Sequence, residues 1–266
     1  MTLTRLVETD AHEGPVYVAG DDALYFTTQR PDVAIKRLAL DTGEVTTVRA
    51  GANVANGMAL DGDGRLIVCE QHPAAITRLD PATGAVETLV DAYEGKPLNS
   101  PNDVVVARDG AVWFTDPSYG HLQGFRPAPQ LPDAVYRYAD GELTMVADGF
   151  DKPNGLAFSP AEDVLYVGDN GARRILAFDV VDGGLANRRL VAHSTPEHPD
   201  GLKVDAGGRI YASAADGVRI YEPTGEHVAE IPLPGAVNFT FGGRDGDALF
   251  ITADDAIWVA ALETRS

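Results

Sequence analysis

One local pattern of apolar and polar positions returns along the whole chain. A polar residue opens a short apolar run, an Asp/Gly-rich turn follows, and a second apolar run follows the turn. It first reads Glu13-Gly14-Pro15-Val16-Tyr17-Val18, a turn at Gly20-Asp21-Asp22, then Leu24-Tyr25-Phe26. It returns from Asn56 (Met58-Ala59-Leu60, then Leu66-Ile67-Val68) and from Asn102 (Val104-Val105-Val106, then Val112-Trp113-Phe114). Further copies open at Asn154, with Leu156-Ala157-Phe158 and Val164-Leu165-Tyr166-Val167, and at Asp200, with Leu202-Lys203-Val204 and Arg209-Ile210-Tyr211. The last opens at Asn238, with Phe239-Thr240-Phe241 and Ala248-Leu249-Phe250-Ile251. Short runs rich in β-branched and aromatic residues, bounded by turn residues, predict strands. No stretch sustains a helical period, so the chain reads as all-β.

Copies of short strands repeating at roughly 40–50 residues predict a β-propeller. Each copy also supplies two more strands, as in Ala75–Leu79 and Val86–Leu89 on either side of a Pro81-Ala82-Thr83-Gly84 turn. Four strands per copy and six copies give a six-bladed propeller, read as one domain over residues 1–266. The sixth copy stops after a third strand, Ile257-Trp258-Val259, while one strand, Leu3–Val7, precedes the first copy. The N-terminal strand is therefore expected to complete the last blade, and closure would remove edges that otherwise template aggregation.

The phase of the repeat carries the chemistry. First strands of propeller blades line the channel and all begin at the same end, which gathers Glu13, Asn56, Asn102, Asn154, Asp200 and Asn238 at one mouth. All six offer side-chain oxygen. Asn and Asp are also common strand-entry residues, but an oxygen cage with two carboxylates suits Ca²⁺ or another hard divalent cation better. Second strands return to the same mouth, so Thr28-Gln29, Glu70-Gln71-His72, Asp116, Asp169-Asn170, Asp216 and Asp254-Asp255 are also expected to face it. The connection Pro117–Pro132 is the longest and carries four prolines; it reads as a substrate-shaping lid with Tyr119, His121, Phe125 and Arg126 as its useful members.

Other signals point to structure. Asp61-Gly62-Asp63-Gly64 resembles the start of an EF-hand loop, but His72 stands where such a loop needs its Glu, so a hairpin turn is expected. Cys69 sits in an apolar strand and reads as core. His12 and His198 stand one or two positions before proposed ligands, as tuning groups or as turn residues. No nucleophile-elbow, phosphate-loop, zinc-protease or dinucleotide-binding motif occurs.

Charge narrows the partners. The chain holds 40 Asp+Glu against 21 Lys+Arg, a formal charge of −19, with one cysteine. That balance argues against nucleic acid and against an anionic membrane surface. No apolar run approaches the ~18 residues of a membrane helix, and Met1 to Ala11 lacks the basic-then-apolar pattern of a signal peptide. The expectation is a cytoplasmic protein, a monomer or weak homo-oligomer, acting on a small molecule.

The segments Glu13-Gly14-Pro15, Ser100-Pro101-Asn102-Asp103, Phe114-Thr115-Asp116-Pro117-Ser118-Tyr119-Gly120, Pro153-Asn154-Gly155-Leu156 and Pro199-Asp200-Gly201-Leu202 resemble the SMP-30/gluconolactonase/luciferin-regenerating family. The resemblance covers nearly the whole chain. It implies a six-bladed propeller with one axial divalent cation, most often Ca²⁺, with Zn²⁺, Mn²⁺, Mg²⁺ or Fe²⁺ as alternatives, and commonly hydrolysis of sugar lactones. Carried over by motif, Glu13, Asn154 and Asp200 are metal ligands and Asp200 is also the acid/base. Asn102 matches an Asn that binds substrate in some members and metal in related propellers. Animal members place an Arg where this chain has Ser100, so substrate hydroxyls must be recognised differently, in a form closer to bacterial gluconolactonases.

The leading expectation is metal-dependent hydrolysis of a small lactone by water, with Asp200 as base and the cation stabilising the oxyanion. Asp103 or Asp169 could assist, and the sequence does not decide between them. Asn102, Asp103, Tyr119, Asp116, Arg126 and His72 are the candidate substrate contacts. A calcium-dependent phosphotriesterase or arylesterase is the second reading, and a non-catalytic ligand- or peptide-binding propeller the third.

Overall fold

The computed structural model describes residues 2–194 and 197–262. Six four-stranded antiparallel sheets follow one another along the chain. The first blade is Ala11–Val18, Ala23–Thr28, Ile35–Ala39 and Val45–Arg49. The next four occupy residues 55–90, 104–147, 153–193 and 202–232, each with its strands in sequence order from the channel outward. Every inner strand packs against the inner strands on both sides, the last against the first, so the sheets form a closed ring.

The sixth blade closes as expected. Its strands Asn238–Gly242, Ala248–Ala253 and Ala256–Ala261 are completed on the outside by Leu3–Glu8 from the other end of the chain. Leu3 lies opposite Ala260, Arg5 opposite Trp258 and Val7 opposite Ile257, with a bulge between Arg5 and Val7. Two small elements had no sequence signal: a two-stranded ribbon, Ala92–Tyr93 with Lys96–Pro97, and a one-turn helix, Tyr119–Leu122.

The core is divided among the seams. Successive side chains of a strand point to opposite faces, and here each face of a blade meets a neighbouring blade. Leu24 and Phe26 pack with Phe250 and Ile257 of the last blade, whereas Tyr25 packs with Met58, Leu66 and Val68 of the second. Leu66 and Val68 in turn share that seam, while Ile67 and Cys69 face Val104, Phe114 and Tyr136 of the third blade. Burial on both faces is why the second strands read as unbroken apolar runs rather than alternating ones. Cys69 is a core residue, as expected. The Asp61–Gly64 segment is a hairpin turn whose acid is spent locally: Asp61 Oδ1 accepts from the backbone amides of Asp63 and Arg65, both at 2.9 Å.

Candidate active site

At the mouth where the inner strands begin lies a cavity of about 330 Å³. Glu13, Asn56, Asn102, Asn154 and Asp200 all line it. Local backbone irregularity aims three of them. The pairing between first and second strands is interrupted around Glu13, between Ala55 and Met58, and between Pro153 and Leu156. Such bulges bend a strand and re-aim a side chain; here they fall on Glu13, Asn56 and Asn154. Asn102 and Asp200 sit just ahead of the short inner strands Val104–Val106 and Leu202–Val204.

The glycine after a ring residue has a physical reason. Gly57 N–H donates to Asn102 O at 2.7 Å, and Gly155 N–H donates to Asp200 O at 2.9 Å. A Cβ at Gly57 would stand 2.5 Å from that carbonyl, and one at Gly155 2.4 Å from the Asp200 oxygen. Adjacent blades thus clasp one another through the backbone beside the cavity, and only glycine permits the approach. Buried hydroxyls of the second strands add a further clasp. Thr27 Oγ1 donates to Asn56 O at 3.1 Å, and Thr115 Oγ1 donates to Asn154 O at 2.8 Å.

The floor holds charge and unpaired oxygen together. Glu13, Asn102 and Asn154 are only 3–5% exposed. Both hydrogen bonds that Glu13 receives fall on Oε2, from Gly14 N at 3.0 Å and Asn238 Nδ2 at 2.7 Å. Burial raises its carboxyl above the usual range; nearby His12 opposes the shift and Asp103 adds to it. Asp200 keeps some solvent contact through the cavity. Burial nevertheless holds its carboxyl well above the ordinary value, with the Glu13 charge reinforcing the shift and the Asn154 amide partly offsetting it. The buried Oδ1 atoms of Asn56, Asn102 and Asn154 meet no hydrogen-bond donor. Leaving a buried polar atom unsatisfied costs about 1–3 kcal/mol, so three at one mouth need a partner.

Asn238 departs from the expected cage. Its Oδ1 accepts from Phe239 N at 2.8 Å and its amide supports Glu13, so the sixth ring position props a neighbour instead of lining the cavity.

The ends of the second strands divide by the period of two. Thr28, Gln71 and Asn170 line the cavity. Glu70, Asp116 and Asp169, one position away in register, point into the seams and are at most 2% exposed. Their carboxylates are consumed there: Glu70 by Arg49, Asn53 and Thr77, and Asp169 by Arg174 and the Asp151 amide. Asp116 accepts from Asn99 N and Ser100 N, both at 2.7 Å, and clamps the loop leading to Asn102. Its burial raises the carboxyl to about 7, against the lowering effect of the two amides. Asp116, expected as a substrate contact, is not among the residues that line the cavity, and both of its oxygens accept from these amides. Asp216, Asp254 and Asp255 are exposed outside the cavity lining, with Asp254 Oδ1 held 2.6 Å from His12 Nδ1.

Three more candidates stand elsewhere. Asp103 is buried behind the ring, accepting from Val104 N and from Lys203 Nζ. Arg126 does not reach the cavity; its guanidinium donates to Asn99 O at 3.0 Å and Leu98 O at 2.7 Å, which fastens the long connection to the site loop. His72 is exposed, its ring 6.2 Å from that of Phe125. His198 bridges Asn170 O and Arg173 and braces the segment before Asp200. Of the connection 117–132, Tyr119 and Gln123 reach the cavity. Ser100, where animal members are expected to carry Arg, accepts from Gly120 N at 2.8 Å and is an anchor of this connection.

The donor set fits a hard divalent cation: two carboxylates and three partnerless amide oxygens, with no sulfur. Among the described residues no three His, Cys, Asp or Glu side chains come together as a metal set. Any cation held here therefore depends on the amides.

A family description, SMP-30/Gluconolactonase/LRE-like region, matches residues 11–255. The chain belongs to this family. A gluconolactonase from Zymomonas mobilis is 34% identical over 91% of this chain and 75% of its own length. A pentonolactonase from Haloferax volcanii is 28% identical over 95% of this chain and 85% of its own. Among solved structures, a gluconolactonase from Xanthomonas campestris superposes with a TM-score of 0.91 at 39% identity, covering 98% of this chain and 89% of that one.

Within this family framework, two polar cavity residues escaped the sequence reading, besides the apolar Val33, Val54, Ala55 and Val237. Arg30 lies in the connection between the second and third strands of the first blade, and Gln123 just beyond the one-turn helix. Neither occupies a repeating position, so no periodic signal marks them. The cue available for Arg30 was its place directly after Thr28-Gln29, a segment already expected at the mouth.

Proposed function

We propose that the chain hydrolyses a small lactone, most suitably a sugar lactone, at this mouth. The observation that carries the reading is the convergence of Glu13 and Asp200 with the partnerless Oδ1 atoms of Asn102 and Asn154 in one cavity. Family membership and similarity to gluconolactonases and a pentonolactonase support the lactone as substrate. Glu13, Asn102, Asn154 and Asp200 would hold a divalent cation, with Ca²⁺ favoured by an all-oxygen set. The chemistry such a cation supplies when bound is polarisation of the lactone carbonyl.

The remaining steps belong to the side chains. Asp200 takes the proton of the attacking water as oxygen bonds to the carbonyl carbon. It returns that proton to the ring oxygen as the ring C–O bond breaks, leaving the open hydroxy acid. The Tyr119 phenol is held protonated by burial, and its oxygen is 3.4 Å from Asn154 Nδ2, so its own proton is available to a substrate oxygen. Gln71, Gln123 and Asn170 offer neutral hydrogen bonds to hydroxyls around the cavity.

Elemental analysis followed by acid release from a panel of sugar lactones and one phosphotriester, with and without chelator, tests the reading. We expect bound divalent cation, lactone opening that chelation abolishes, and little phosphotriester turnover. At saturating metal, Asp200→Asn should lower kcat by ~10²–10⁴-fold, the usual contribution of a general base. Turnover of lactones unaffected by complete metal removal would overturn the metal role, and near-full turnover by Asp200→Asn would reduce Asp200 to a ligand.

A further inference from the structure

The cavity is graded from floor to rim. Glu13, Asn102 and Asn154 on the floor are almost fully buried, whereas Arg30 and Gln123 at the rim are exposed. A lactone whose carbonyl reaches the floor presents its far end to the rim. Among the described residues that line this cavity, Arg30 is the one Lys or Arg.

The arginines of this acidic chain are mostly spent on carboxylates, as Arg49 is on Glu70 and Arg174 on Asp169. Arg30 takes part in none of the ion pairs or hydrogen bonds among the described residues. Its guanidinium lies over the ring of Phe125, whose centroid is 4.7 Å from the guanidinium carbon. Phe125 belongs to the long connection that also delivers Tyr119 and Gln123, so the ring holds Arg30 from across the mouth. A cation–π contact uses the charge of the guanidinium and leaves its N–H donors for another partner.

The surrounding field makes the choice of partner specific. The formal charge of −19 repels an incoming anion. A neutral sugar needs no guanidinium here, since Gln71, Gln123 and Asn170 already supply neutral donors and acceptors. A planar fork of donors is the side chain that suits a carboxylate or phosphate.

We infer that Arg30, held by Phe125, is a specificity-determining residue that admits lactones carrying an anionic group, a carboxylate or a phosphate, at the end remote from the reacting carbonyl. This rests on the lactonase reading above.

Steady-state hydrolysis of three lactones of like ring size tests it: one neutral, one bearing a distal carboxylate, one bearing a distal phosphate. For Arg30→Gln, the ratio of kcat/KM for an anionic lactone to that for the neutral one should fall about tenfold, the scale of a charge-assisted hydrogen bond discounted for exposure. The loss should lie in KM, because the contact is the same in ground and transition states. Arg30→Lys should recover part of it, retaining charge without the fork. Raising salt should narrow the difference in KM between wild type and Arg30→Gln for the anionic substrates and leave the neutral one unaffected. Whichever anionic arm responds more identifies the group. An unchanged ratio in Arg30→Gln, with the neutral lactone still opened, overturns the inference and leaves the lactonase reading standing. Failure of wild-type protein to open any of the three overturns the lactonase reading itself.

Discussion

Thr115 links three features of the site, and replacing it by valine isolates that linkage. Its side chain is fully buried. Oγ1 donates to Asn154 O at 2.8 Å and accepts from Asp103 N at 3.1 Å, so one hydroxyl ties the third blade to the fourth and fixes the residue after Asn102. Valine fills nearly the same space, so no cavity term enters. What changes is that a buried carbonyl and a buried amide each lose a partner, at about 1–3 kcal/mol apiece. The expected destabilisation is about 2–4 kcal/mol in urea unfolding, near the upper range for a single substitution. Activity should fall as well, by about tenfold or more, because Asn154 and Asn102 lose their common strut and small misplacements are expensive in catalysis. Thr115→Ser keeps the hydroxyl and should retain most of both properties. Thr27→Val, which severs only the bond to Asn56 O, should cost about half as much. The reasoning is refuted if Thr115→Val unfolds within ~0.5 kcal/mol of wild type and turns over normally.

Ring closure and the buried Asp116 carboxyl each have a measurable consequence. Deleting residues 2–8 removes the strand opposite Ala256–Ala261 and bares the edge carrying Ile257, Trp258 and Val259; stability should drop by about 2–4 kcal/mol from lost pairing and partial burial, with concentration-dependent light scattering from the open edge. A truncated protein that melts at the wild-type temperature counts against closure. For Asp116, whose carboxyl is raised from 3.8 to about 7, the folded state holds a proton that the unfolded chain releases between those values. Its stabilising contribution is therefore present below pH ~4 and lost as pH rises toward 7, by at most about 4 kcal/mol. In urea unfolding from pH 4 to 8, the stability of wild type minus that of Asp116→Asn should decline across this window and level off above it. A constant difference would show that the Asp116 proton is not linked to folding.

The ring and its closure are legible in the sequence because the forces that make them are local and repeated. Two-sided burial at the seams demands apolar second strands, which return with each blade, and the clasp of adjacent blades demands glycine after Asn56 and Asn154, which marks those copies. The floor of the cavity is legible for the same reason, since Glu13, Asn56, Asn102, Asn154 and Asp200 all open inner strands. Where one residue of register decides, the letters mislead. Asp116 and Asp169 look like site acids, yet the strand pleat turns them into the seams, while Asn170, the neighbour of one of them, faces the cavity. Asn238 matches its ring counterparts in type and position, but a single backbone amide claims its oxygen.

Irregular backbone has no period to betray it, and here it forms the rim. Arg30 depends on the path of the first blade's connection, and Gln123 and Phe125 depend on how Ser100 and Arg126 tether a long loop across the mouth. Blade geometry thus places the oxygen donors of the floor, where the proposed bond-breaking occurs, and it does so through contacts that recur around the ring. The proposed recognition of the substrate's far end falls to loops that occur once each. Exchanging a loop leaves the seams and clasps intact, so substrate range can change while the floor keeps its chemistry.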